Sequence, residues 1–415
     1  MNTPVAASGT AWWREVDAPA WRALFAAGAG WMLDAMDVML YAVALKAIAA
    51  EFQLSQAVSG AVMSASLIAS AVGGVVSGIL ADRFGRTRML MISIATYSIF
   101  TALTATSQNL GQLVFWRVLV GLGMGGEWSA GAVLVAETWP AKHRGKAIGL
   151  MQSGWAIGYI LAAVIGGLVL PTWGWRPMFV IGLAPALLVV WIRFNLAEPA
   201  LWARQTTRAT LSETMSALTR RANLSRMLIA TAVSSALLFS YWGLFNWVPA
   251  FLSKDVAGGG AGLSVVKSTA WVVAMQVGAF LGYTSFGFIA DRLGRKPTFI
   301  AFVLGAAVLV PIYGLSARNE TILLVLGPFV GFFGHGYFSV FGAMLAELFP
   351  LSIRGAASGI CYNLGRAASA AAPWTVGALA DRHGLGVALL LTSVLYVVGA
   401  ILVLFLPETR GKEMD

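Results

Sequence analysis

Charge is what this chain has least of. Asp, Glu, Lys and Arg make up 11% of its 415 residues, against roughly 25% in an ordinary soluble domain, while apolar residues reach 58%. So few charges over such a length exclude an ordinary soluble globule. The single cysteine, Cys361, excludes an internal disulfide and any paired-cysteine metal site. Three histidines (His143, His335, His383) form no HExxH pair, and there is no GxxxxGK[ST] loop. Metal-assisted hydrolysis and ATP-driven work therefore have no residues to carry them, and neither an enzyme nor a cofactor is expected. The first 22 residues lack the charged start and apolar core of a secretory signal.

What is present is a succession of long apolar stretches, the clearest at 57–80, 89–106, 147–170, 177–196, 299–315 and 387–406. Each approaches or exceeds the roughly 20 residues that cross a bilayer as a helix. More polar stretches at 23–44, 111–136, 225–252, 266–290, 322–345 and 355–380 bring the expected number to twelve. The formal charge of +10 follows this pattern and is no nucleic-acid signature, because most of the 28 Lys and Arg fall in the termini and the even-numbered loops. By the positive-inside rule both termini are expected in the cytoplasm.

One segment occurs twice. GILADRFGRTR, from Gly78, returns as GFIADRLGRKP from Gly287, and each copy is followed by an acidic-then-basic pair, Glu137 with Arg144 and Glu347 with Arg354. The shift is 209 residues from Asp82 to Asp291 and 210 from Glu137 to Glu347. Parallel repeats in a membrane chain imply a carrier that rocks one half against the other around a central site. The expected organisation is an N-terminal tail (1–22), a six-helix half (23–196), a linker (197–224), a second six-helix half (225–406) and a short tail (407–415). The glycine-rich stretch 255–262 reads as a loose external loop.

These residues resemble the major facilitator superfamily over nearly the whole chain. The loop motif Gly-x-x-x-Asp-Arg-x-Gly-Arg stands in both halves, RVLVGLGMGG (from Arg117) is similar to a helix signature of proton-coupled members, and PETRGKE (from Pro407) is similar to the closing motif of sugar porters. GMGGEW, ETWPAKHRG and YNLGR look like the metabolite–proton symporter branch, with its sialate and lactate carriers. The resemblance implies an all-α integral membrane protein, twelve transmembrane helices in two parallel six-helix repeats.

The repeated loops are expected to act as gates: Asp82 and Asp291 at helix ends, with Arg86, Glu137, Arg144, Arg295, Glu347 and Arg354 completing charge clusters on the cytoplasmic edge. Charges inside the spans cost several kcal/mol unless they face a cavity or a partner, so they carry the functional information. Asp34, Asp37, Arg117 and Glu127 are candidates for proton coupling, Asp37 with Arg117 first among them. Burial disfavours a charged carboxyl and a nearby guanidinium favours it, so an Asp alternating between the two takes up and releases a proton. A permanent salt bridge between the first and fourth spans is the competing expectation.

Arg366, in YNLGRAASAAAPW, has no acidic residue in the middle of its own half. A two-pronged guanidinium there points to a carboxylate cargo, with pairing to Glu347 or Glu127 as the structural alternative. Asn363 lies one turn away. Tyr41, Gln152, Trp155, Tyr159, Tyr241, Asn246, Gln276 and His335 are candidate cavity liners. The expected function is secondary transport of a small organic anion, a monocarboxylate or sialate-like acid, with protons. The expected carrier is a monomer in the cytoplasmic (inner) membrane with no nucleic-acid partner. A proton-coupled sugar symporter and a non-transporting membrane sensor are the alternatives.

Overall fold

The computed structural model describes residues 12–140, 143–198, 216, 218–350 and 353–408. The first half holds α1 (Ala18–Glu51), α2 (Gln56–Phe84), α3 (Arg86–Thr104), α4 (Leu110–Thr138) and α5 (Arg144–Trp173), then α6 (Arg176–Ile181) and α7 (Ala186–Asn195), which share one span. The second half holds α8 (Arg221–Phe245), α9 (Val248–Ser253), α10 (Val265–Leu293), α11 (Arg295–Leu315), α12 (Glu320–Gly336), α13 (Phe338–Glu347), α14 (Arg354–Ser369), α15 (Ala371–His383), α16 (Leu385–Ala388) and α17 (Leu390–Leu404). With α8–α9, α12–α13, α14–α15 and α16–α17 each read as one interrupted span, the chain crosses twelve times. Nine of the spans among the described residues are long and apolar enough on composition alone; the first, third and eleventh fall short. In the third span hydroxyls satisfy themselves on the preceding turn, as Thr96 donates to Ile92 O (2.7 Å) and Ser98 to Ile94 O (2.6 Å).

Packing repeats with the sequence. In the first half α2 lies on α4 and α1 on α5; in the second α10 lies on α12 and α8 on α14. Across the halves α5 meets α10, and α2 meets α14 and α15. Glycine makes the first of these seams possible. A methyl on Gly125 would stand 1.9 Å from Ser70 O and 2.5 Å from Gly74 N, so α4 touches α2 backbone to backbone. Gly125→Val is expected to force the helices apart at a cost of about 3 kcal/mol, read as a lower thermal midpoint of the detergent-purified protein.

The structure also shows that the repeat is fourfold. Gly85, Gly174, Gly294 and Gly384 each end a span with φ between 75° and 110°. Each donates its N–H to the carbonyl four residues back, at 2.9 to 3.3 Å. Only glycine adopts this backbone without strain. Three of the four follow Asp-Arg-x, since GALADRHG (377–384) is a further copy of the loop motif, lying on the opposite face of the membrane from the first two. The loop at 255–262 is not loose, as the sequence suggested. Ala261 N–H bonds Phe251 O, Gly262 N–H bonds Lys254 O, and Gly386 N–H bonds Gly259 O, at 2.7 to 3.0 Å. Its glycines serve close approach to Gly384 and Leu385 rather than flexibility.

Candidate transport site

Five side chains that carry charge in water are buried in the middle reaches of the spans. Asp34 and Asp37 on α1 are fully buried, Glu127 on α4 and Arg366 on α14 are 1% exposed, and Arg117 on α4 is 3% exposed. The spacing of the two aspartates puts both on the α1 face toward α4, with Tyr41 one turn further along. The Arg117 guanidinium sits over the Tyr41 ring at 5.1 Å, and Asp37 and Asp34 act on it electrostatically. Asp34 also feels Arg366, as does Glu127, so the five form one electrostatic cluster.

No fixed salt bridge fastens them. Neither oxygen of Asp34 or Glu127 accepts a hydrogen bond, Asp37 has only the Thr101 hydroxyl beside it, and Arg117 Nε and Nη1 and Arg366 Nε donate none. Two glycines make room for the acids. A methyl on Gly30 would lie 2.5 Å from Glu127 Oε1, and one on Gly182 would lie 3.0 Å from Asp37 Oδ1 and 2.3 Å from Thr101.

Arg366 bridges the two halves. Its Nη1 donates to Ser70 Oγ on α2 (2.9 Å) and its Nη2 to Tyr362 OH one turn back (3.3 Å), with the guanidinium 5.0 Å from the Tyr362 ring. Tyr362 in turn stacks on Trp128 of α4 at 4.3 Å. Pairing with Glu347 is not observed, because Glu347 binds Arg295 instead. The eleventh span breaks at Ala370, just before Pro373, and Arg366 O accepts from both Ala370 N–H (3.1 Å) and Ser369 Oγ (2.8 Å).

The expected liners divide. Asn246 and Tyr41 border a central pocket of only about 20 Å³, with Arg117, Met63, Met124 and Trp242. Trp155 meets Trp31 at 4.6 Å and Trp242 at 5.8 Å, and all three indole N–H groups lack a partner. Gln152 Oε1 and both amide atoms of Gln276 are likewise buried and unpaired. Tyr159 is committed elsewhere, donating to Phe245 O across the halves (2.7 Å). Asn363 donates to Gly359 O (3.0 Å) and packs on Gly74. His335 uses Nδ1 on Gly331 O (3.2 Å) and Nε2 with Tyr241 OH (3.3 Å). Nδ1 donates to the carbonyl and the Tyr241 hydroxyl is able to donate to Nε2, so a neutral imidazole has both nitrogens satisfied here. A larger hollow of about 430 Å³, between α1, α5, α9 and α10, opens at the far face and is lined mostly by apolar groups.

On the face that carries the termini, Arg86 pairs with Glu137 at 3.5 Å and Arg295 with Glu347, each pair joining the start of the span after a repeated loop to the end of the next span. Arg354 Nε donates to Phe349 O (3.3 Å). The side chains of Asp82, Arg144 and Asp291 lie outside the described part of the structure. A second carboxylate pair was not anticipated. Glu198 accepts from Thr87 N and Arg88 N (3.0 Å each), and Glu408 from Arg295 N and Lys296 N (3.2 and 3.0 Å). Their separation of 210 residues was a legible signal.

Asp381 was missed as well. It belongs to the third copy of the loop motif, and its two oxygens accept from Gln56 N (3.0 Å) and Ala57 N (2.9 Å), capping α2 from the other half. On the same face Glu51 binds Arg176 through both oxygens and Trp175 Nε1. The Arg176 guanidinium holds the Glu51 carboxyl below the usual carboxylate range, helped by that indole.

Two facing halves, closed at both faces around a buried charge cluster, define a secondary transporter rather than an enzyme. The chain belongs to the major facilitator superfamily, whose profile matches residues 27–285 and 260–414. It is similar to the cis,cis-muconate transport protein of Acinetobacter baylyi, 33% identical over 91% of this chain and 92% of that one. It is also similar to the sialic acid transporter NanX of Escherichia coli, 31% identical over 95% of each. In fold it matches the crystal structure of a D-xylose–proton symporter, with a TM-score of 0.77 at 21% identity over 95% of this chain and all of that one.

Proposed function

We propose that the protein imports organic carboxylates together with protons by alternating access, as a monomer in the cytoplasmic membrane with both termini inside. The observation that carries the reading is Arg366, a buried guanidinium at the seam between the halves whose partners are two hydroxyls and no carboxylate. Asp34 and Glu127 act on it only through space and hydroxyls fill only part of its fork, so a cargo carboxylate is its natural hydrogen-bonding partner. Relatives named for muconate and sialic acid support the same class. A neutral sugar would offer the Arg366 fork only further hydroxyls.

In the cycle, the outward cavity admits the anion to Arg366, displacing Ser70 and Tyr362, while the unpaired indoles and amides around Trp155 and Gln276 hold its polar body. Protonation in the Asp37–Arg117 region neutralises the centre and lets the halves rock. The lower proton activity inside withdraws the proton, and the anion follows. Arg86–Glu137, Arg295–Glu347 and the Glu198 and Glu408 caps stiffen the inner gate; Asp381 latches the outer one.

The class is tested by uptake of labelled carboxylates and sugars into proteoliposomes under an imposed inward proton gradient. Gradient-driven carboxylate uptake, competed by acids and not by sugars, is expected. Sugar uptake alone would overturn the cargo class. Asp381→Ala removes a carboxylate that satisfies two backbone N–H groups, worth about 1–2 kcal/mol. It is expected to shift the carrier toward its outward-open form, roughly tenfold, read as faster labelling of a cysteine placed at Ala57.

A further inference from the structure

We infer that the number of protons carried in each turnover equals the negative charge of the cargo, so that transport is electroneutral and a neutral isostere passes with no proton at all. This rests on the carboxylate reading and deepens it. Its basis is the inventory of charge at the centre. Among the described residues, three carboxyls (Asp34, Asp37, Glu127) and two guanidiniums (Arg117, Arg366) are the charge-bearing groups buried there. The groups that face them add none: Tyr41 from α1, Tyr97 and Thr101 from α3, and Ser70 and Tyr362 around Arg366 are hydroxyls. His335 is satisfied as a neutral ring. The other buried ionisable groups, Arg86 and His143, sit at the terminal face with Glu137 and Glu15.

Three against two leaves one negative charge in excess when all five are ionised. The pocket bordered by Arg117 measures about 20 Å³, room for about one water, and an uncompensated charge in such a centre costs several kcal/mol. One proton removes it. The carrier without cargo therefore crosses its closed state holding one proton among the three carboxyls.

A monocarboxylate at Arg366 adds a second negative charge and calls for a second proton. The loaded carrier moves in with two protons and returns with one, a net of one. A dicarboxylate calls for three and returns one, a net of two, which saturates the three carboxyls. An amide of the same acid moves in with one proton and returns with one, a net of none. Coupling on this account resides in the cargo's own charge, and the carboxyls supply capacity.

The test uses the full chain in proteoliposomes with a trapped pH dye and the membrane voltage set by potassium and valinomycin. The probes are cis,cis-muconate, its monoamide and its diamide, with sialic acid and its primary amide as a second series. Expected proton-to-cargo ratios are two, one and zero in the first series, and one and zero in the second. Moving one uncompensated charge would change accumulation about fifty-fold per 100 mV, and no voltage response is expected for any probe. A ratio fixed at one across acids and amides, or accumulation driven by voltage, would overturn the charge rule while leaving carboxylate transport standing. Absence of uptake of every acid would show instead as missing label, and would remove the carboxylate reading and the rule together.

Discussion

Arg366→Ala is expected to abolish carboxylate uptake, with kcat/KM reduced a hundredfold or more. Removing one partner of a buried, hydrogen-bonded charge pair costs about 2–5 kcal/mol, which spans roughly thirty- to several-thousand-fold in rate. Two features place this site toward the upper end. Arg366 is 1% exposed, so water cannot replace it, and its two η nitrogens are held 2.9 and 3.3 Å from hydroxyls that set the fork's orientation. Arg366→Lys keeps the charge and loses the planar fork, so it is expected to recover only part of the activity, chiefly as a raised KM. Initial-rate uptake of labelled acid, with expression and thermal midpoint measured in parallel, separates transport from folding. Unchanged carboxylate uptake by well-folded Arg366→Ala would move the anion site elsewhere in the bundle.

The sequence made the scaffold legible because its strongest signals are local. Twelve apolar stretches, two loop motifs and a constant shift need no knowledge of contacts. The buried charges were legible for a related reason: an Asp, Glu or Arg amid apolar residues stands out whatever it touches. What surrounds those charges was not. Ser70 is an ordinary hydroxyl in an apolar helix, 296 residues from the arginine it holds, and only the fold brings them together. Trp31 and Trp128 read as packing until Trp155 and Tyr362 are placed against them. The breaks at Asn246 and Tyr337 fall beside Pro249 and Gly336, residue types too common in these spans to mark a break on their own. Asp381 differs, since its motif was visible. In this copy Leu385 stands where the other two carry Arg86 and Arg295, so the basic residue that marks the loops of the terminal face is absent.

Asp37→Asn is expected to uncouple net uptake from exchange. With the proton gradient imposed, accumulation of labelled acid should fall tenfold or more, on the order of the contribution of a positioned acid–base group. Exchange of internal unlabelled for external labelled acid should stay within about threefold, because exchange reverses the loaded carrier without requiring a proton to leave. The geometry gives Asp37 this role. It stands beside Thr101 and Gly182 on the outer side of Asp34, within reach of Arg117, which lines the small central pocket. Asp34 and Glu127 lie deeper, toward Gly30 and Arg366. Without Asp37 they can still hold the protons that charge balance demands, but those protons lose their entry point. The residual net flux of the variant should therefore be slow and still carry one proton per monocarboxylate. A variant whose exchange falls as far as its net uptake would make Asp37 a structural residue. A variant that accumulates cargo like the parent would pass the entry role to Asp34.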